Sequence, residues 1–138
     1  MKTVLRAATA ADADDVMRLL LDLYKGDVGP DMPDLLAEYI SSDSTRVTLA
    51  AEGGRIVGVL IGSYRLDIDY ECRAGIVNAI VVDKEHRRQG LGRRLVQDFA
   101  QWAERRGCSC VQVMNGKAEF FERMGFQERP ARLHQARL

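Results

Sequence analysis

The sequence predicts a mixed α/β domain, and three observations carry that reading. Ile76 to Val82 is almost entirely apolar, as expected of a central strand covered on both faces, and only Asn78 interrupts it. Leu91, Leu95, Val96, Phe99, Trp102 and Ala103 recur at helical spacing, which marks an amphipathic helix from about Gly90 to Arg106 ending at Gly107. Val47 to Glu52 and Arg55 to Leu66 are β-rich runs joined by Gly53-Gly54, a pair that tolerates the positive φ of a tight hairpin.

The remaining elements follow in chain order. Thr3 to Ala7 reads as a first strand, and Thr9 as a helix N-cap with Asp12 in the reciprocal position. Ala13, Val16, Met17, Leu20, Leu21 and Tyr24 form one face of a helix stopping near Gly26, and a shorter helix follows Pro33. From Tyr64 to Arg73 apolar and charged residues alternate, so this stretch has one wet face and contains a turn the pattern does not place. Cys110 to Met114 is the next strand and Ala118 to Met124 a short helix closed by Gly125, while the tail from Phe126 to Leu138 has room for one or two edge strands.

A chain of 138 residues, 46% apolar and 29% charged, suits a single domain over 1–138. Its longest apolar run, Ile56 to Gly62, is far short of the roughly 20 residues that cross a bilayer, and Arg6 interrupts the start too early for a secretory leader. Three cysteines, Cys72, Cys108 and Cys110, give neither a disulfide framework nor a metal spacing, so a cytoplasmic location and no metal are expected. Cys108 and Cys110 share one face of a strand and read as buried hydrophobes. His86 and His134 are unpaired with ligand-type residues. Twenty basic and twenty acidic side chains cancel, which argues against a nucleic-acid partner and makes any phosphate recognition local.

The chemistry-bearing stretch runs from Val81 to Arg94, where a buried strand passes into a helix. Gly90 and Gly92 uncover the N–H groups of the helix start, and those groups with the positive end of the helix dipole form an anion site. Arg87, Arg88 and Arg93 are placed to add charge-assisted contacts. A dinucleotide fingerprint needs a third glycine where Leu95 stands, and the Gly-Lys-Ser/Thr ending of a P-loop is absent.

Arg87-x-x-Gly90-x-Gly92 between a strand and an amphipathic helix resembles the acetyl-CoA motif of the GNAT superfamily of N-acetyltransferases. Ala118 to Phe126, with Gly125-Phe126 at its end, resembles that superfamily's closing helix. The resemblance is strongest from about Ile76 to Phe126. It implies a mostly antiparallel sheet of six to seven strands, splayed in the middle, with about four helices on both faces. It also implies acetyl-CoA as cosubstrate and an amine acceptor. The pantetheine arm would lie along Ile80, Val81 and Val82, and the pyrophosphate on the turn of Arg87, Arg88, Gln89, Gly90, Leu91, Gly92 and Arg93. Asn115 would bond the pantetheine, and Phe121 would lie near the thioester sulfur. Homodimers are common among such proteins, and no interface pattern in the sequence decides the point.

An attacking amine must be neutral. A lysine-like amine with pKa about 10.4 is neutral at pH 7 roughly four times in ten thousand, a barrier term of about 4.6 kcal/mol. Many superfamily members have a glutamate at the position of Asn78 and a tyrosine at that of Phe121, and neither residue here can move a proton. Three readings stay open: Asn78 holds a water that relays the proton to Glu71 or Asp69, the amine is weakly basic, or the domain binds acyl-CoA without turnover. Asp67, Asp69 and Glu71 form one acidic stripe and Asp27, Asp31, Asp34 and Glu38 a second region, with Tyr24, Tyr64 and Tyr70 available to line a pocket.

Overall fold

A computed structural model describes residues 2–114, 117–129 and 133–138. The elements are β1 (Thr3–Ala7), α1 (Ala13–Leu23), α2 (Met32–Ser41), β2 (Thr45–Glu52), β3 (Arg55–Asp67), β4 (Cys72–Val82), α3 (Leu91–Arg105), β5 (Cys110–Val113) and α4 (Ala118–Arg123). The strands form one sheet in the order β1-β2-β3-β4-β5. Every pair is antiparallel except β4 with β5, which α3 connects as a parallel crossover.

The local signals explain most of these boundaries. Gly53 and Gly54 both adopt positive φ, 58° and 81°, and bring Glu52 opposite Arg55. The unplaced turn in the alternating stretch spans residues 68–71, with Glu71 at φ 50°. Asp67 fastens its start: the carboxylate accepts from the Tyr70 N–H at 3.3 Å and from Gln112 Nε2 of β5 at 2.8 Å. Before α1, the Thr9 N–H donates to Asp12 Oδ2 at 2.8 Å, and the first turn is a short 3₁₀ segment rather than α-helix.

Two corrections concern packing. The buried stripe of α1 is Val16, Leu19 and Leu20, whereas Leu21 and Tyr24 are 43% and 40% exposed, so the face is turned toward Leu19 relative to the expected one. Among the described residues the sheet has five strands, and the described parts of the tail after Phe126 add none of the edge strands expected there. The cysteine expectation is corrected as well. Cys108 packs against the core, but Cys110 is exposed with its Sγ 3.6 Å from that of Cys72.

The sheet separates two apolar layers. α3 and α4 cover one face, where Leu95, Phe99, Trp102 and Phe121 are buried; α1 and α2 cover the other, around Val16, Leu19, Leu36 and Val59. Phe99 shows how close the first layer is. A Cβ on Gly62 of β3 would lie 2.6 Å from Phe99 Cζ, and one on Gly75 of β4 would lie 3.1 Å from Phe99 Cε2, so two glycines admit the ring onto the sheet backbone.

Candidate active site

β4 and β5 stay paired only from Ala74–Cys110 to Val77–Val113. β4 then continues to Val82 with no strand on that side among the described residues, while its other edge remains paired to β3 through Leu60–Ile80, Val59–Val81 and Gly58–Val82. The result is the expected splay, with the backbone edge from Asn78 to Val82 open beside the end of β5. Ile80 and Val82 turn toward the α3/α4 layer and Val81 toward the α1/α2 layer.

Asn78 is where this geometry changes. Ile61 pairs with Ala79 and Gly62 with Val77, which leaves Asn78 as the extra residue of a β-bulge. The bulge reverses side-chain parity: Val77 belongs to the α3 layer, whereas Asn78 and Ala79 both line a cavity on the α1/α2 side. The Asn78 amide oxygen accepts from Ser63 Oγ at 3.0 Å, so the interruption in the apolar run is a partnered polar group at a deliberate irregularity.

Beyond Val82 the chain turns into α3. The Asp83 N–H donates to Val57 O at 2.7 Å and His86 N–H to Asp83 O at 2.8 Å, which closes a single 3₁₀ turn. Arg88 and Gly90 then take left-handed φ values of 64° and 78°. α3 starts at Leu91 with no side-chain cap, and its first backbone bond runs from Arg94 N–H to Gly90 O at 3.1 Å. The N–H groups of Leu91, Gly92 and Arg93 therefore precede the first helical bond, as an anion site requires. A Cβ on Gly90 would meet nothing within 4 Å, so the space over this turn is open. Gly92 has a packing role besides the one expected: a Cβ there would come 3.1 Å from Phe120 Cζ, so this glycine also seats α3 against α4.

The arginines also divide. Arg87 Nε donates to Val82 O at 2.9 Å and its guanidinium lies 3.7 Å from Asp22, so this side chain ties the loop to β4 and α1. Arg93 reaches Arg123 O at 3.4 Å and Arg94 reaches Thr3 O at 3.2 Å. Among the described residues, Arg88 is the loop arginine without a hydrogen-bond or ion-pair partner, and Gln89 beside it is exposed.

Glu71 does not join this site. It lies in the turn before β4, seven positions from Asn78, and at about 3.3 Å per residue the two are roughly 20 Å apart, too far for a one-water relay. Asp69 shares that turn, and Asp67 is committed to Gln112, whose hydrogen bond holds its carboxyl below the ordinary range. Asn115 lies outside the described residues. Phe121 is 5% exposed and packs edge-on against Phe120 and Phe126, so it is core, in the same cluster that Ile80 and Val82 join.

The cavity beside Asn78 has a volume of about 110 Å³ and is lined by Leu20, Tyr24, Leu36, Tyr39 and Ala79 among others. Burial pushes the Tyr39 phenol above its ordinary value and the neighbouring Tyr24 adds to the shift, so near neutral pH Tyr39 is an uncharged hydroxyl rather than a base. Of the tyrosines expected to line a pocket only Tyr24 does so. Tyr64 packs on Trp102 at 6.0 Å, and Tyr70 lies under the Arg129 guanidinium at 4.6 Å. Tyr39 was missed, although Met32, Leu35, Leu36 and Tyr39 repeat at helical spacing and mark the inner face of α2.

A profile of the Acetyltransferase (GNAT) family matches residues 13–126. The chain belongs to that family. It is 29% identical over 103 residues to N-acetyltransferase family 8 member 3 of Rattus norvegicus, a match covering 71% of this chain and 45% of that one, so the chain spans about half the length of this curated relative. The fold superposes on AAC(6')-Iy in complex with a bisubstrate analog, CoA-S-monomethyl-acetylneamine, with a TM-score of 0.88 and 18% identity over the whole of both chains. A transcriptional regulator from Bacillus halodurans C-125 superposes with a TM-score of 0.83 and 22% identity, covering 97% of this chain and all of that one. Among the described residues no helix is long and apolar enough to cross a membrane, and no cluster of His, Cys, Asp or Glu suits a metal ion.

Proposed function

We propose that the chain transfers an acetyl group from acetyl-CoA to a primary amine. The observation that carries this reading is the continuity of an open strand edge, Asn78 to Val82, with the uncapped start of α3. A pantetheine arm can add to that edge as an extra strand, which leaves its diphosphate at the N–H groups of Leu91, Gly92 and Arg93 with the Arg88 guanidinium nearby. A backbone N–H between Ile80 and Val82 would then polarise the thioester carbonyl. The neutral amine, entering past Asn78 from the cavity, attacks that carbonyl; the C–N bond forms, the C–S bond breaks, the nitrogen gives up one proton to water, and coenzyme A leaves as a thiolate that takes up a proton from solvent. Thiolate is a good leaving group, with pKa near 8.5, so the lack of a donor at Phe121 is tolerable. The bisubstrate analog held by AAC(6')-Iy joins coenzyme A to an acetylated amine, which is the kind of ligand this arrangement would accept.

The test is to mix the purified chain with acetyl-CoA and an amine panel and to measure free thiol. Amine-dependent release supports the proposal, and none across a broad panel contradicts it. Asn78 and Phe121 favour one second reading, a non-catalytic acyl-CoA-binding module. Calorimetry that finds coenzyme A bound, with no thiol release, would establish it in place of the first.

A further inference from the structure

We infer that the acceptor is a primary amine of low basicity, such as an α-amine, attached to a small uncharged apolar group that fills the cavity beside Asn78. The inference rests on the acetyl-transfer reading and deepens it. Its basis is the wall of the cavity. Leu20, Met32, Leu35, Leu36, Ile61 and Ala79 supply carbon, Tyr24 and Tyr39 supply phenols, Asn78 supplies an amide, and no charged side chain takes part. The acidic residues of this region, Asp31, Asp34 and Glu38, are exposed on the outside of α2 and give a cation only a weak, screened attraction. A second ammonium carried into the cavity would be desolvated without a counter-charge.

The same wall sets the proton chemistry. Among the described residues no carboxylate or imidazole lines the cavity, so a nucleophile entering through it must arrive neutral. At pH 7 an α-amine with pKa about 7.7–8.0 is neutral roughly three hundred times more often than a lysine-type amine. Entry into an apolar space favours the neutral form further. The enclosed space is about 110 Å³ and opens to solvent past the exposed Tyr24 and Leu35, so it can seat a branched chain of about four carbons, while anything larger would extend past the rim.

The experiment compares three acceptors at pH 7 by thiol release: leucine amide, Nα-acetyl-lysine amide and spermidine. The expected order of kcat/KM places leucine amide at least a hundredfold above the other two, with a pH profile that follows the acceptor's own amine. Preference for the lysine compound or for spermidine overturns the acceptor class while leaving acetyl transfer intact. Silence with all three, while other members of the amine panel release thiol, overturns the acceptor class alone; silence across the whole panel, with coenzyme A still bound by calorimetry, overturns acetyl transfer and this inference together. Leu35→Glu adds the missing charge at a position 48% exposed, where the fold tolerates it. The preference for leucine amide over the lysine compound should fall at least tenfold in that variant, and an unchanged ratio would place the acceptor elsewhere and sink the inference.

Discussion

The Ser63 hydroxyl donates to the amide oxygen of Asn78 at 3.0 Å, across the bulge that separates the paired part of β4 from its open edge. That contact engages the amide oxygen alone, and an amide has no acid–base chemistry near neutral pH. Replacing Asn78 tests both points. In Asn78→Ala the half-exposed Ser63 hydroxyl rehydrates, so thermal unfolding should report a loss of no more than about 1 kcal/mol. Thiol release should fall by much less than the 10²–10⁴ that loss of a general base causes. A hundredfold drop would give the amide a direct part in the reaction.

Arg88 and Arg87 should separate binding from stability. Arg88 combines a strained φ of 64° with a side chain that has no protein partner among the described residues. Arg88→Gly relieves a backbone cost of about 1–2 kcal/mol while removing a positive charge from the proposed diphosphate cradle. The expected result is a higher melting temperature with coenzyme A bound several-fold more weakly by calorimetry. Arg87→Ala, which severs the tie to Val82 O, should instead lower the melting temperature.

Much of this was legible in the residues, for reasons that differ along the chain. Gly53-Gly54, the apolar run before Val82 and the stripe from Leu91 to Ala103 each encode an element through a local rule; the hairpin and the helix form within a residue or two of the expected limits, whereas β4 begins at Cys72, four residues before the apolar run that marks it. The family motif rested on Arg87, Gly90 and Gly92, and its backbone half asks only for a helix start with no side-chain cap, a local feature that two glycines can signal. Its side-chain half was less legible, because whether Arg87 reaches a ligand or Val82 O depends on where β4 ends in space. Glu71 could not be excluded from sequence, since an alternating stretch does not say where its turn falls. The bulge at Asn78 turns two successive residues to one face, and strict alternation gives no warning of it.

Gly90 offers the sharpest test of the cradle. It sits at φ 78° with open space where a side chain would project, so Gly90→Val places bulk over the exposed N–H groups and adds left-handed strain. Coenzyme A affinity should fall at least tenfold by calorimetry while circular dichroism shows the fold intact. Gly92→Val serves as the contrast: its side chain would press on Phe120, so the melting temperature should drop as well. Unchanged coenzyme A affinity in folded Gly90→Val would rule out this helix start as the diphosphate site.

Gly62 tests the core behind the site. A methyl group there would lie 2.6 Å from Phe99 Cζ and 2.9 Å from Ile76 O, and the latter is backbone that cannot step aside. Gly62→Ala should cost about 1–3 kcal/mol in denaturant unfolding. The double variant Gly62→Ala with Phe99→Leu should show strong non-additivity, because the two groups compete for one space.

Asp12 predicts how stability depends on acid. Its carboxylate accepts from both terminal nitrogens of Arg6 at 2.8 Å and from the Thr9 N–H at 2.8 Å, and the Arg6 hydrogen bonds, then the Thr9 one, hold it far below the ordinary carboxylate range. A carboxyl with a depressed folded-state pKa stabilises fully above its unfolded value, about pH 3.9, and the contribution fades as pH falls toward the folded value. Asp12→Asn keeps the shape but weakens the Arg6 bonds and the cap, at a cost of about 1–2 kcal/mol near neutrality. Unfolding measured from pH 7 downward should show a constant gap between wild type and variant to about pH 5, then a narrowing one. A gap that stayed constant to pH 3 would mean that the Arg6–Asp12 pair contributes nothing through its charge.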